Sequence, residues 1–214
     1  MVASAGTPGG DGGVAAVVLA AGRSQRFGAP KQLARLAGTP LIGHVVQRVL
    51  ASVVTEVVVV LGHEADAIRG VLPADGRVRT VHNPRHGEGM STSLIAGIGA
   101  LGQHVEGAVV VLGDEPGIEP RDIDAVVRAL KAGWPVARVR YSDGPGHPVG
   151  FRRARWPELR ALSGDQGARS VLLRSQVHEI AVPRPGPRDV DEPGDLAALA
   201  PSVFDGVSGD GPTR

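Results

Sequence analysis

The sequence predicts a single-domain, Rossmann-like α/β protein with a mostly parallel, doubly wound sheet and helices on both faces. Three observations lead there. Short unbroken aliphatic runs, V-A-A-V-V-L-A at 14–20, E-V-V-V-V-L at 56–61 and A-V-V-V-L at 108–112, mark strands buried on both faces. Stretches with apolar residues at helical spacing separate them. Strand and helix alternate in this way through about residue 131, an order that implies right-handed βαβ crossovers.

The first strand, 14–20, runs into a Gly-rich basic loop over 21–31. Pro40 opens a helix over 41–50, since proline suits the first helical turn. A second strand over 56–61 leads to a short helix over 64–72, and the alternating run 77–81 stops at the turn signal Asn83-Pro84. Ser91, Thr92 and Ser93 supply hydroxyls suited to starting a helix over 91–101. The third buried strand ends in Gly113-Asp114-Glu115-Pro116, and Pro120 lies near the start of a helix over 119–131. Beyond it the pattern is less regular, with strands over 136–141 and 147–151 around a Gly/Pro turn, helical stretches near 157–162 and 168–173, and a strand over 177–182. The stiff loop 183–187 is too short to separate domains. Residues 1–13 and 201–214 are small and polar and read as tails, leaving 14–200 as the domain.

Composition removes several function classes. Only 3% of the residues are aromatic, so aliphatic side chains fill the core and no stacking platform for RNA or single-stranded DNA is expected. With 23 basic and 22 acidic residues the net charge is +1, too balanced to attract nucleic acid or a membrane surface, so any anion site must be local. The absence of cysteine excludes disulfides, thiolate metal sites and a cysteine nucleophile, and fits a cytoplasmic protein. No apolar stretch approaches the ~20 residues of a membrane span, and residues 1–13 lack a secretory pattern.

The strongest chemical feature is L-A-A-G-R-S-Q-R-F-G-A-P-K at 19–31. It leaves the end of a buried strand, where open α/β sheets bind ligands. Gly22 and Gly28 let the backbone N–H groups close on a phosphate, and Arg23, Arg26 and Lys31 add positive charge. It is not a Walker A loop, because Lys31 is not adjacent to Gly28 and no hydroxyl residue follows it; a solvated basic turn is the plain alternative. Asp114, at a second strand end, is placed to hold Mg²⁺ with substrate phosphates, or simply to make a turn. Asn83, Gly89, Ser91 and Ser93 lead into a helix whose start would bind a nucleotide or merely be capped. His147, in Gly146-His147-Pro148, presents an imidazole to a substrate or serves structure. Asp165, Arg169, Asp189 and Asp191 add polar groups late in the chain, with Asp191 a candidate second metal ligand. The run Gly97-Ile98-Gly99-Ala100-Leu101-Gly102 matches a dinucleotide fingerprint but lies within and at the end of a helical stretch, so close packing and a helix stop are expected instead. No H-E-x-x-H or G-x-S-x-G occurs, which argues against a zinc hydrolase or a serine elbow.

Six segments in order, L-A-A-G-R-S-Q-R-F-G-A-P-K, N-P-R-H-G-E-G-M-S-T-S-L, L-G-D-E-P, G-H-P-V-G-F, G-D-Q-G-A-R and D-V-D-E-P-G-D-L, resemble the molybdenum cofactor cytidylyltransferases within the molybdopterin-guanine-dinucleotide-type nucleotidyltransferases, over residues 14–199. The resemblance implies a Rossmann-like sheet and Mg²⁺-dependent transfer of CMP from CTP to molybdopterin, with a molybdoenzyme as a possible partner. It implies catalytic roles for Lys31, Arg26 and Asp114, and phosphate binding by Gly22 and Arg23. Leu19, Ala20 and Ala21 fall in the nucleotide-binding segment, where the double alanine is similar to the cytidine-using branch. Asn83, Gly89, Ser91 and Ser93 fall where base recognition is implied, while His147, Pro148, Asp165 and Arg169 fall on the acceptor side. Glu115 departs from the glutamine common in the family, and Gly150 from a leucine. Two alternatives remain: an NAD(P)H-dependent reductase similar to the branch acting on a nicotine-derived pigment, and a non-catalytic molybdenum cofactor chaperone.

Overall fold

Valine runs without a polar face must be covered on both sides, and the structure, a computed structural model describing residues 12–199, does so with one seven-stranded sheet. Of the expected tails, residues 1–11 and 201–214 lie outside the described residues, as does residue 200 of the expected domain, while Gly13, expected in the first tail, opens the first strand. The first half holds β1 (Gly13–Ala20), the short pair β2 (Arg35–Leu36) and β3 (Thr39–Pro40), α1 (Leu41–Leu50), β4 (Val57–Leu61), α2 (Ala65–Arg69), β5 (Val78–His82), α3 (Met90–Ala100), β6 (Val105–Leu112) and α4 (Pro120–Lys131). The second half holds β7 (Val136–Tyr141), β8 (Gly144–Arg152), α5 (Trp156–Arg160), α6 (Arg169–Arg174), β9 (Val177–Ala181) and α7 (Pro193–Leu199).

The sheet order is β5-β4-β1-β6-β8-β7-β9. All strands run the same way except β8, which is antiparallel to both β6 and β7. That exception follows from chain length: Ser142 and Asp143 alone join β7 to β8, which is enough for a hairpin but not for a crossover. Period-two alternation along β1 divides the core. Ala16, Val18 and Ala20 face α1 and α4, while Ala15 and Val17 face α3 and α5. The mostly parallel, doubly wound sheet expected from the sequence is therefore the observed fold.

Two glycines set helix positions. A Cβ on Gly97 would fall 2.4 Å from Val17 Cγ1, so α3 lies hard against the sheet and the G-x-G-x-x-G run serves packing, as expected. A Cβ on Gly150 would fall 2.5 Å from Val126 Cγ1, which explains the small residue there: α4 fills the space a leucine would take.

The β2–β3 hairpin and α7 are absent from the sequence reading. The hairpin turns on Ala37 and Gly38, both at positive φ (48° and 84°), and its strands are too short to show a period. Leu36, Leu41, Val190 and Leu199 form a small third cluster that ties α7 to the hairpin. This contact brings residues 189–191 back beside the loop after β1. No helix among the described residues is long and apolar enough to cross a membrane.

Candidate active site

The chain leaves β1 toward β4 and β5 on one side and later places β6 on the other, so the strand order reverses between β1 and β6. In such sheets a crevice opens beyond the carboxyl ends of the two strands at that point. Here the crevice is a cleft of about 480 Å³. Leu19, Ala21, Gly22, Arg23, Arg26 and Lys31 line it from the β1 loop, Asp114 from the end of β6, and Gly89 and Ser93 from the start of α3. Asp165 and Asp191 reach it from the second half of the chain.

Local chemistry fixes the loop. Ser24 adopts φ 53°, and its carbonyl accepts the N–H groups of Phe27 and Gly28 at 3.0 and 3.2 Å. Gly28 completes the reversal at φ 77°. The Ser24 hydroxyl accepts the Lys31 N–H at 3.2 Å and donates to Gln32 Oε1 at 3.3 Å, which pins the backbone that carries Lys31. Across the cleft, the Gly113 N–H donates to the Leu19 carbonyl at 2.9 Å; a Cβ on Gly113 would fall 2.8 Å from that same oxygen. Only glycine lets the strand end approach this closely and set Asp114 opposite the loop. The Val190 N–H donates to the Asp114 carbonyl at 3.0 Å, which brings Asp191 to the same place.

The three segments meet at one ammonium group. Lys31 Nζ lies 2.6 Å from Asp114 Oδ2 and 3.0 Å from Asp191 Oδ1, and an Arg26 guanidinium nitrogen lies 2.9 Å from Asp191 Oδ2. Burial by itself would lower the Lys31 pKa, but hydrogen bonds to Asp114 and then Asp191 outweigh it and hold the group above the ordinary lysine value. The Lys31 hydrogen bond, aided by Arg26, keeps Asp191 below the usual carboxylate range. Two carboxylates thus converge on one cation. The same pair suits a Mg²⁺ ion, which takes one or two carboxylates and completes its shell with phosphates and water. Among the described residues no group of three or more His, Asp or Glu could hold a metal without such help.

Glu115 lies directly behind Asp114. It is nearly buried, its Oε2 has no hydrogen-bond partner, and its Oε1 lies 3.7 Å from His147 Nδ1. Burial pushes its pKa up to about 7 against the opposing pull of His147. Burial and the neighbouring Asp114 charge likewise raise Asp189.

The remaining sequence candidates lie outside this cleft. Ala20 is buried in the sheet. Asn83 is buried beneath α3, where its Nδ2 donates to Thr92 Oγ1 at 2.9 Å and Ser93 Oγ at 3.0 Å. Ser91 is fully buried with an unpartnered hydroxyl. His147 and Arg169 line a second cavity, and Pro148 is buried after a cis bond from His147. Ser24, Gln32 and His86 line the first cleft without having been singled out by the sequence. The signal for His86 lay in its place between Asn83 and Gly89: its ring packs over Gly62, where a Cβ would fall 2.7 Å from it.

A sequence profile of the MobA-like NTP transferase domain matches residues 16–180. The chain belongs to this family. It is similar to proteins of different overall build. It is 31% identical over 140 residues to the bifunctional protein GlmU of Agrobacterium fabrum, a match covering 64% of this chain and 30% of GlmU, so the chain spans less than a third of that relative. It is 32% identical over 173 residues to the nicotine blue oxidoreductase of Paenarthrobacter nicotinovorans, covering 76% of this chain and 82% of that protein. The crystal structure of Rv0371c from Mycobacterium tuberculosis H37Rv superposes with a TM-score of 0.81 at 31% identity, covering 89% of this chain and 98% of the other. Rv0371c has also been crystallised in complex with manganese, a structure that matches at a TM-score of 0.76.

Proposed function

We propose that this MobA-like transferase moves CMP from CTP onto the phosphate of a pterin-type acceptor, molybdopterin, and releases pyrophosphate. The observation that carries this reading is the convergence of Lys31, Asp114 and Asp191 across one cleft. An anionic oxygen of the acceptor phosphate attacks the α-phosphorus and forms the new P–O bond. The bond from that phosphorus to the bridging oxygen breaks, and its electron pair leaves with pyrophosphate. Asp114 and Asp191 would hold Mg²⁺ together with the triphosphate, and the ion would supply charge neutralisation to this transfer. Lys31, Arg26 and Arg23 stabilise the leaving pyrophosphate, and the N–H groups around Gly22 cradle the triphosphate. The acceptor oxygen is already anionic near neutral pH, so the step requires no strong general base.

Leu19, Ala21, Gly89 and Ser93 hold the nucleoside from the cleft wall. Ala20, Asn83 and Ser91 act from behind it. The small side chain of Ala20 admits Gly113, whose added Cβ would fall 3.0 Å from the Ala20 Cβ, and Asn83 fixes the first turn of α3 through Ser93. His147, Asp165 and Arg169 face the acceptor, and Pro148 sets the position of His147. The product would pass to a molybdoenzyme, and a cytoplasmic location fits a nucleoside triphosphate donor.

Likeness to the nicotine blue oxidoreductase favours a second reading, an NAD(P)H-dependent reductase. Two assays separate them. Pyrophosphate release is measured with CTP, GTP, ATP and UTP in the presence of Mg²⁺ and molybdopterin, and thermal shift is measured with CTP/Mg²⁺ and with NADPH. Release with CTP and a shift with CTP/Mg²⁺ are expected. A shift with NADPH alone, and no release with any nucleotide, would replace the transferase with the reductase.

A further inference from the structure

β5, β4 and β1 are neighbours in the sheet and run the same way, so their carboxyl ends open on one side. Each delivers a basic group there: Arg23 follows β1, His63 follows β4 and His82 closes β5. His86, in the turn after β5, completes the group. Its ring centroid lies 6.4 Å from that of His63. A Cβ on Gly62 would fall 2.7 Å from its Cγ, so the ring rests on bare backbone. A Cβ on Gly87 would fall 2.7 Å from Arg23 Nη2, which places that guanidinium against the chain next to His86. Arg23, His86 and Gly87 line the nucleotide cleft.

The carboxylates of this region are committed elsewhere. Glu64 lies 4.0 Å from His63 Nε2, and Glu88 pairs with Arg85 at 2.6 Å. Asp114 and Asp191 are turned onto Lys31 and Arg26, and Asp165 reaches the cleft from the second half of the chain. None of them pairs with His86, whose Nδ1 is buried with no hydrogen-bond partner among the described residues. Burial first, then the Arg23 charge and the His63 and His82 rings, hold the His86 pKa below the ordinary imidazole value, so the ring is neutral near pH 7. Any flat apolar side chain would cover Gly62 without the cost of a buried, unpaired nitrogen. An imidazole set beside an anion-binding guanidinium does more, because its charge responds to what the guanidinium holds.

We propose that His86 is a phosphate-binding residue of this cleft, neutral while no nucleotide is present and protonated as the triphosphate enters, a role that rests on the transferase reading above for its triphosphate. An anion held by Arg23 replaces a repelling positive field with an attracting negative one, which favours the imidazolium. The proton comes from solvent. The imidazolium donates an N–H to a phosphate oxygen, a charge-assisted bond stronger than a neutral ring provides. When pyrophosphate departs, the proton returns to solvent. Nucleotide binding and proton uptake are thereby linked, each strengthening the other.

Calorimetric titration with CTP/Mg²⁺ near neutral pH, in two buffers of unlike ionisation enthalpy, counts the protons taken up. His86→Gln and His86→Asn are compared with the wild type, so that ionisation of the nucleotide itself cancels, and melting temperatures confirm that the variants fold. The wild type is expected to take up roughly half a proton or more beyond either variant. Its CTP affinity should also fall roughly three- to tenfold more than theirs between about pH 6 and pH 8. The ¹⁵N shifts of the wild-type His86 ring, with and without CTP, give the same reading without a substitution. Equal uptake by the wild type and a folded variant, or a ring that stays neutral with CTP bound, would overturn the proposal. Inorganic tripolyphosphate, the phosphate chain without its nucleoside, is titrated in parallel. Proton uptake with tripolyphosphate that depends on His86, but no binding of CTP, defeats the transferase reading alone. CTP binding with no uptake assigned to His86 defeats this inference alone, and failure of both ligands to bind defeats both.

Discussion

The two cavities share Met90 and Asp165 but are built from opposite chemistry. In the first, charges neutralise one another at close range: Lys31 against Asp114 and Asp191, and Arg26 against Asp191. Glycines bring backbone to backbone there, and the cleft occupies the point where strand order reverses. The second has an aliphatic and aromatic lining, one uncommitted guanidinium and a rim of exposed apolar side chains. A triphosphate is gripped by charge and by N–H groups, which take little account of what the phosphate will be joined to. An acceptor is chosen by shape and by the few polar contacts it must satisfy. On the proposed transferase reading, generality would belong to the first region and selectivity to the second, and changes in each should affect different quantities.

The largest effect is expected at the carboxylate-held cation. Asp114→Ala and Lys31→Ala should each lower kcat by roughly 10²–10³-fold, about 3–4 kcal/mol of transition-state stabilisation, with the fold retained. Pyrophosphate release checks this, with circular dichroism to confirm folding. Near-normal release by either variant would remove the first region from the chemistry. Asp191 is more exposed than Asp114 and shares its charge with Arg26, so Asp191→Asn should cost less, on the order of tenfold in kcat. A higher Mg²⁺ concentration for half-maximal rate would accompany that loss; an unchanged metal requirement would limit Asp191 to holding Lys31.

The next effect concerns the wall between the regions. Glu115 lies behind Asp114 and faces His147 of the second cavity. Its pKa is raised from 4.5 to about 7 by burial, so the folded protein binds its proton more tightly than the unfolded chain does. That stabilisation is complete below about pH 4.5 and is lost as pH rises through about 7, a change on the order of 3 kcal/mol. In metal-free buffer, Glu115→Gln should flatten the decline of melting temperature between those pH values. A decline of equal slope in the variant would assign the pH dependence to another group.

The first region was far more legible in the sequence than the second, for physical reasons. Parallel strands buried on both faces write themselves as valine runs, and ligand loops follow their ends, so the meeting of Gly22, Lys31 and Asp114 at one cleft is legible from their positions and residue types. The meeting of Asp191 with Lys31 was not legible. It depends on Leu36, Val190 and Leu199 packing together across most of the chain, through a hairpin and a helix too short to show a period. The sequence marks Asn83 as a turn residue and a nucleotide-binding candidate, while its hydrogen bonds to Thr92 and Ser93 emerge only once α3 packs above it. Of the second cavity, His147, Asp165 and Arg169 are marked in the sequence by the family resemblance, but its apolar walls are not, since Val149, Phe151 and Leu172 read as ordinary core residues until the hairpin of β7 and β8 and the short α6 leave a space among them.

The smallest effect lies at the outer edge of the second region, where Glu179 on β9 accepts Nε hydrogen bonds from Arg138 at 3.0 Å and from Arg140 at 2.6 Å. Hydrogen bonds from Arg140 and then Arg138 hold the Glu179 pKa at about 2, so its contribution is present above the ordinary value of 4.5 and is lost as pH falls from there toward about 2. The carboxylate is about one-third exposed, and solvent screening reduces such pairs to about 1 kcal/mol or less. Glu179→Gln should therefore lower stability by no more than about 1 kcal/mol at neutral pH, an effect that shrinks in acid and in high salt, as denaturant titration would show. The same substitution removes the charge that holds Arg138, a residue of the second cavity's lining. CTP/Mg²⁺ binding, read by thermal shift, should be unchanged in this variant; if it moves, the two regions are coupled and the division between them fails.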